Sequence, residues 1–212
     1  AHPLEAIGAG IWAGFVPHVR EAALYRYRLV TETGGIVEKS DPVAFWHELP
    51  PGTDSLVWDL SFEWHDEEWM RDRAARQRLD RPAAVYEVHL GSWRRVPEEN
   101  GRFLTYRETA PLLAEYVQRM GFTHVQFLPL MEHPSYGSLG YRVTGYFAPT
   151  ARYGMPQDLM YLIDYLHQRG IGVILDWVPA YFPDDPHGLA QFDGHPLYEY
   201  GDPRIGSHAE WN

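Results

Sequence analysis

The chain has 212 residues, of which 45% are hydrophobic and 22% charged, so we expect a folded protein of one or two domains and exclude a largely disordered one. Its formal net charge of −11, with no basic run, disfavours nucleic acid and anionic membranes as partners, and we find neither a membrane span nor a signal peptide. The absence of cysteine excludes disulfides and thiolate metal ligands and favours a reducing compartment.

Residues 1–60 are predicted to be all-β. The segment 24–30 alternates apolar or aromatic residues with arginine, which is typical of a half-exposed strand, and Gly34-Gly35 predicts a hairpin turn. Short strands separated by turns favour part of a β-sandwich that begins before residue 1. Trp12 and Trp58 could form a sugar-binding platform, but we expect them to pack in the core.

Residues 61–82 are polar and rich in arginine, which predicts a helical linker with a solvated charged face. From residue 83 onward, strands and helices alternate. We predict strands at 83–90, 123–128 and 172–175, a long ordered loop at 129–154, and helices that end near Gly121 and Gly170. Thr105 and Glu108 have the spacing of a capping box for the first helix, although Pro111 is an alternative first helical residue.

The strand at 172–175 is an apolar run that leads directly to Asp176. Such a run is typical of a buried strand in a parallel sheet, and a carboxylate at its end either forms a turn or faces a site. Alternating strands and helices predict right-handed crossovers. The fold class we expect is α/β: an incomplete (β/α)8 TIM barrel at 83–212, preceded by the 61–82 linker and the partial sandwich at 1–60. A closed barrel typically needs about 250 residues.

Several long segments match one known family in the same order. They are YEVHLGSWRR (86–95), MGFTHVQFLPLMEHP (120–134), GYRVTGYFAPT (140–150), GVILDWVPA (172–180) and LYEYGDPR (197–204). On these segments, the chain resembles the 1,4-α-glucan (glycogen) branching enzymes of the α-amylase superfamily of glycoside hydrolases. The resemblance covers essentially the whole chain, and it implies that residues 1–60 are the C-terminal part of a carbohydrate-binding module.

The resemblance also implies roles for individual residues. Asp176 matches an aspartate that supports the catalytic centre, and Tyr141 matches an aromatic residue that stacks on the sugar at the cleavage subsite. Glu132 and His133 match a loop beside that subsite, so the resemblance implies that both bind substrate. Tyr181 stands where the family has a histidine that donates a hydrogen bond to the sugar. The family's nucleophile and acid/base lie on later strands, without a counterpart up to Asn212.

The implied reaction is a retaining double displacement that cleaves an α-1,4-glucan, such as glycogen or amylose, and transfers it to a 6-hydroxyl in glycogen biosynthesis. It needs two carboxyl groups about 5–5.5 Å apart, so we predict that this chain alone is inactive. Tyr181 keeps a non-catalytic glucan-binding fragment or pseudoenzyme open as an alternative, and a related debranching enzyme or trehalohydrolase is another.

We expect no cofactor and no metal. His187, His195 and His208 match no compact ligand spacing, and Asp184-Asp185, between prolines, reads as a loop turn instead of a calcium site. The complete protein is predicted to be a cytoplasmic monomer whose partner is an α-glucan.

Overall fold

The computed structural model describes residues 2–179 and 182–206. Its first part contains only short strands, which pair two by two in antiparallel fashion. The predicted turn at Gly34-Gly35 joins two of them, and Gly34 has the positive φ of 81° that such a turn requires. The pairs are β1 (Glu5–Gly8) with β2 (Ile11–Ala13), β3 (Leu24–Tyr25) with β6 (Ser55–Leu56), and β4 (Tyr27–Val30) with β5 (Ile36–Lys39).

The two tryptophans of this part do not share one environment. Trp12 is 62% exposed, so the prediction that it packs in a core is wrong for this residue. The reason is that every residue of β1 and β2 is exposed, with no described layer over the hairpin. Trp58 is half-buried, packs edge-to-face on Trp46, and donates a hydrogen bond from Nε1 to Gln157 Oε1 at 2.8 Å.

A helix, α1 (Glu67–Arg76), occupies the predicted linker. Trp69 is its buried residue, and the indole stacks on the His167 ring with centroids 4.9 Å apart. Asp66, just before the helix, lies 2.7 Å from His167 Nδ1. A ring stack and a hydrogen bond, both to His167, therefore help to hold this otherwise charged helix against the rest of the molecule.

The second part is built on a parallel sheet of three strands. Strand β10 (His124–Phe127) lies in the centre, between β7 (Val85–Val88) and β13 (Gly172–Leu175). Two long helices cover one face of the sheet, where Leu113, Phe127 and Leu162 are fully buried. On the opposite face the edge strand β13 leaves Ile174 39% exposed. The two helices are α3 (Tyr106–Met120) and α4 (Pro156–His167).

Helix α3 begins where the capping box predicts. Thr105 Oγ1 accepts a hydrogen bond from the Glu108 N–H, and Glu108 Oε2 accepts one from the Thr105 N–H. The alternative start at Pro111 is wrong, because Pro111 lies inside the helix. Gly121 ends the helix in the left-handed conformation, with φ 78°.

The segment 129–154 is ordered and contains regular structure of its own. Two strands pair across it, and two single turns of 3-10 helix lie at 136–138 and 151–153. The smaller elements of the chain are α2 (Leu90–Trp93), β8 (Arg95–Val96), β9 (Arg102–Phe103), β11 (Met131–Glu132), β12 (Gly145–Pro149) and α5 (Pro203–Gly206). Among the described residues, every helix is too short or too polar to traverse a bilayer.

Candidate functional site

Two of the predicted site residues meet at the carboxyl end of β13. The Asp176 N–H donates to Phe127 O at 3.1 Å, which extends the parallel ladder by one residue and fixes where the carboxylate emerges. The Tyr141 hydroxyl donates to Asp176 Oδ2 at 2.8 Å, and the tyrosine is 42% exposed. The hydrogen bond to Asp176 is the main cause that raises the pKa of the phenol, so the hydroxyl remains a donor.

The turn before Tyr141 depends on Gly140. This glycine has φ 93°, and a Cβ at this position would overlap the carbonyl oxygen of Pro129. The neighbouring Leu139 also has a positive φ, of 53°, and the Tyr141 N–H closes the turn by donating to Ser138 O at 3.0 Å. A residue with a side chain at position 140 would therefore displace Tyr141 from Asp176.

Glu132 is buried, with 4% exposure, and its carboxylate accepts hydrogen bonds from four groups. Burial raises the pKa of this carboxyl, while the cation and the backbone donors around it oppose the rise. The donors are Arg152 Nη1 (2.7 Å), the Ala151 N–H (2.7 Å), the His133 N–H (2.9 Å) and the Thr150 hydroxyl (3.2 Å). Through these four hydrogen bonds, Glu132 joins the two ends of the loop at 129–154.

Arg152 extends this buried cluster toward the surface. Its side chain is 1% exposed, and its guanidinium also donates to Pro134 O at 3.3 Å and lies 4.2 Å from the ring centroid of Tyr136. Tyr136 in turn stacks on Phe103, with ring planes 11° apart. The Glu132–Arg152 pair thus clamps the two ends of the loop that carries Tyr141.

His133 is also buried, at 3% exposure. Its Nδ1 lies 2.8 Å from Met131 O, and a carbonyl only accepts, so Nδ1 carries the proton. Burial lowers the pKa of the imidazole to about 4, which keeps it neutral at physiological pH. The ring lines a cavity on the side of the loop facing the N-terminal strands.

Glu87 is a polar residue of the site that sequence reasoning missed. It is level with Gln126 and Ile174 on the neighbouring strands, so these side chains share one face of the sheet. Glu87 is exposed, and its charge contributes to the raised pKa of Tyr141. The sequence signal that could have identified Glu87 is its position as the one carboxylate among the apolar and aromatic residues of β7.

The remaining predicted residues that the structure describes contact other groups. Tyr181 and His208 lie outside the described residues. Asp185 pairs with Arg142 at 3.2 Å, and His195 lies 3.6 Å from Glu32. Within residues 2–179 and 182–206, no group of three histidines or carboxylates is placed to hold a metal ion.

Comparison with known proteins agrees with the sequence segments. The family Alpha-amylase (alpha amylase, catalytic domain) matches residues 113–189. The chain is 58% identical over 205 residues to the 1,4-alpha-glucan branching enzyme GlgB of Aquifex aeolicus, and 55% identical over 206 residues to that of Albidiferax ferrireducens. Both alignments cover 97% of this chain and 32% of the relative.

A solved structure agrees with the fold. A crystal structure from Salmonella typhimurium, provisionally named alpha amylase, superposes with a TM-score of 0.67 at 27% identity, covering 88% of this chain and 29% of the other. The chain therefore has an α/β, amylase-like fold, and its predicted resemblance to the branching enzymes is confirmed. It spans about a third of the length of the curated relatives it matches.

Proposed function

We propose that this chain, which resembles the 1,4-α-glucan branching enzymes over nearly its whole length, forms about a third of such an enzyme. The complete protein would cleave an α-1,4-glucan and transfer it to a 6-hydroxyl, which creates the α-1,6 branches of glycogen. The observation that carries the proposal is the Tyr141–Asp176 hydrogen bond of 2.8 Å at the carboxyl end of a parallel strand. In barrel enzymes, this end of the strands holds the chemistry.

We assign the parts of the chain as the sequence predicts. Residues 1–60, with their antiparallel strand pairs, are part of a β-sandwich carbohydrate-binding module, and residues 61–82 are a helical linker. Residues 83–212 are the first part of a (β/α)8 barrel. Among the strands that the structure describes, β13 lies at the edge of the sheet, which supports this assignment because in a barrel a further strand pairs with it.

Asp176 and Tyr141 have distinct tasks in this proposal. The hydroxyl of Tyr141 fixes Asp176 Oδ2, which leaves the other carboxylate oxygen to accept a hydrogen bond from a sugar or from a catalytic arginine. The exposed face of the Tyr141 ring offers a flat surface on which a sugar can stack. The nucleophile and the acid/base of the retaining reaction are expected from the rest of the enzyme.

Glu132 and His133 were predicted to bind substrate. We propose that Glu132 is a positioning residue instead, because its carboxylate is buried and occupied by four internal donors. It would act through the loop that carries Tyr141. Within the described residues the second ring nitrogen of His133 has no hydrogen-bond partner, so it can still contact a ligand.

The test uses the complete protein that contains this chain, with amylose as substrate and α-1,6 linkages measured by proton NMR. We expect branching in the wild type. Asp176→Asn should lower the branching rate by about 10²-fold, by analogy with removed transition-state hydrogen-bond donors, and Tyr141→Phe should lower it by about tenfold. If the wild-type protein only hydrolyses α-1,6 bonds, that result would support the alternative of a debranching enzyme.

Tyr181 motivates the second candidate function, a glucan-binding protein without catalysis. Binding of amylose by the complete wild-type protein without any new α-1,6 linkage would favour it. In an active enzyme, Tyr181→His should raise the branching rate, since it restores the hydrogen-bond donor of the family. We also propose that the complete protein is a cytoplasmic monomer, which cell fractionation and size-exclusion chromatography with light scattering would check.

A further inference from the structure

Of the 18 lysine and arginine residues in the sequence, only Lys39 is a lysine, and it is buried, with 4% exposure. It ends strand β5, where the N-terminal strands meet the segment that follows Asp176. We propose that Lys39 is a positioning residue for Tyr141 and that it acts through residues 185–189. The expected effect on branching rests on the proposed function, whereas the contacts themselves do not.

The strand end that carries Lys39 is held firmly within the N-terminal part. The Ser40 hydroxyl donates to Thr53 O at 2.5 Å, and the Asp41 carboxylate accepts a hydrogen bond from the Tyr25 hydroxyl at 2.6 Å. Ser40 and Asp41 are themselves buried. These contacts fix the backbone directly after Lys39, so its side chain extends from a fixed base.

The ammonium connects this base to residues 185–189. Lys39 Nζ donates to Gly188 O at 3.2 Å, and the Ser40 N–H donates to His187 O, also at 3.2 Å. Within the segment, the Gly188 N–H donates to Asp185 O at 2.8 Å and closes a turn. Gly188 is buried, so without the ammonium its carbonyl oxygen loses a donor that water does not easily replace.

The same segment contacts the loop that carries Tyr141. Arg142, which directly follows Tyr141, donates from Nη2 to Asp185 Oδ2 at 3.2 Å. Leu189 packs against the apolar cluster that contains Val143, which is 1% exposed. The segment therefore touches the chain immediately after Tyr141, and a shift of the segment would move the tyrosine hydroxyl away from its carboxylate partner.

The charge of Lys39 has no partner of opposite sign among the residues that the structure describes. Asp185, the carboxylate of the segment, pairs with Arg142 instead. Burial of an unpaired charge is costly, and an apolar side chain of similar length would avoid that cost. Positioning is therefore a better explanation of the ammonium than stability, because the ammonium supplies a directed donor that fixes Gly188.

Branching kinetics of the complete protein that contains this chain test the proposal, with amylose as substrate. Lys39→Met keeps the length of the side chain and removes the ammonium. We expect kcat to fall about tenfold, because small displacements at a reaction site are costly, while the urea midpoint stays unchanged. Lys39→Arg, which keeps a cationic donor, should recover part of the rate. Arg28→Met, exposed on the neighbouring strand β4, is the matched control and should leave kcat unchanged.

A double-mutant cycle with Tyr141→Ala shows whether Lys39 acts through the tyrosine. In the Tyr141→Ala background, Lys39→Met should change kcat by less than about twofold, since no ring is left to position. An unaltered kcat for Lys39→Met, or the same loss in both backgrounds, would overturn the proposal. A urea midpoint that falls in parallel with the rate would also overturn it, in favour of a purely structural role.

If Lys39→Met does not fold, Asp185→Asn takes its place in the cycle, because it weakens the contact with Arg142 on the other side of the segment. A loss of rate for Asp185→Asn that simply adds to that of Tyr141→Ala would then contradict the proposal. Failure of the proposed function gives a different result, since the wild type would form no α-1,6 linkages. The cycle is then read from the affinity for amylose, on which Lys39→Met should again act only when Tyr141 is present.

Discussion

The Glu132–Arg152 pair allows a quantitative prediction about the site loop. At a separation of 2.7 Å and an effective dielectric constant near 20, two unit charges attract each other by about 6 kcal/mol, most of which the loss of hydration offsets. Glu132→Gln removes the negative charge and leaves the guanidinium of Arg152, 1% exposed, without compensation. Breaking a buried pair in this way costs about 3–5 kcal/mol, and we expect that loss in the free energy of unfolding.

Urea denaturation, followed by tryptophan fluorescence, measures the effect. Glu99→Gln is the matched control, because Glu99 also lies 2.7 Å from an arginine, Arg102, but this pair is exposed. We expect a change of less than about 1 kcal/mol for the control. The double variant Glu132→Gln/Arg152→Met should recover at least about 2 kcal/mol relative to Glu132→Gln. A loss at Glu132 as small as that at Glu99, or no recovery in the double variant, would refute this reasoning.

Three further predictions concern stability. Met155→Thr should stabilise the chain by about 1 kcal/mol against thermal unfolding. Asp158 Oδ2 already accepts a hydrogen bond from the N–H of residue 155, so only the hydroxyl of a capping box is missing there. Met155→Val, which adds no hydroxyl, should give no such gain. Gly140→Ala should lower the free energy of unfolding, measured by urea denaturation, by more than about 2 kcal/mol. Gly137→Ala should be nearly neutral, because a Cβ at position 137 would lie 3.7 Å from its nearest neighbour, Ser135 Oγ. His47 and His133 have folded-state pKa values of about 4, below the ordinary 6.5, so their stabilisation is present above pH 6.5 and is lost as the pH falls toward 4. Urea midpoints should show a loss of about 2 kcal/mol per histidine between pH 7.5 and 5, and His47→Gln/His133→Gln should flatten this dependence.

Local patterns predicted the regular elements of the second part well. The capping box at Thr105, the left-handed glycine at 121 and the apolar run before Asp176 each depend on neighbours within a few residues, so the sequence displays them directly. The short strands β11 and β12 were not found, because two to five residues give no measurable period. Trp12 was placed in a core on its residue type alone, and residue type does not say whether another layer covers the strand.

The partners of the site residues could not be predicted, because they are distant in sequence. Arg152 reaches Glu132 across 20 residues, and Tyr141 reaches Asp176 across 35. The family resemblance placed Glu132 near the sugar, but only the donors around its carboxylate show that it has no free oxygen to offer. Burial and pairing therefore changed its proposed role from binding to positioning.

The link between the two parts of the chain bears most directly on Asp176. The Lys39 ammonium, on β5, is buried at 4% exposure, and burial lowers its pKa, yet it donates to the carbonyl oxygen of Gly188. Beside it, the Ser40 N–H donates to His187 O at 3.2 Å. Residues 187 and 188 belong to the segment that follows β13 and Asp176. Burying the ammonium is costly, but these two hydrogen bonds connect the segment to the N-terminal strands. The N-terminal part thereby helps to fix the site on the sheet, in addition to any glucan that it binds itself.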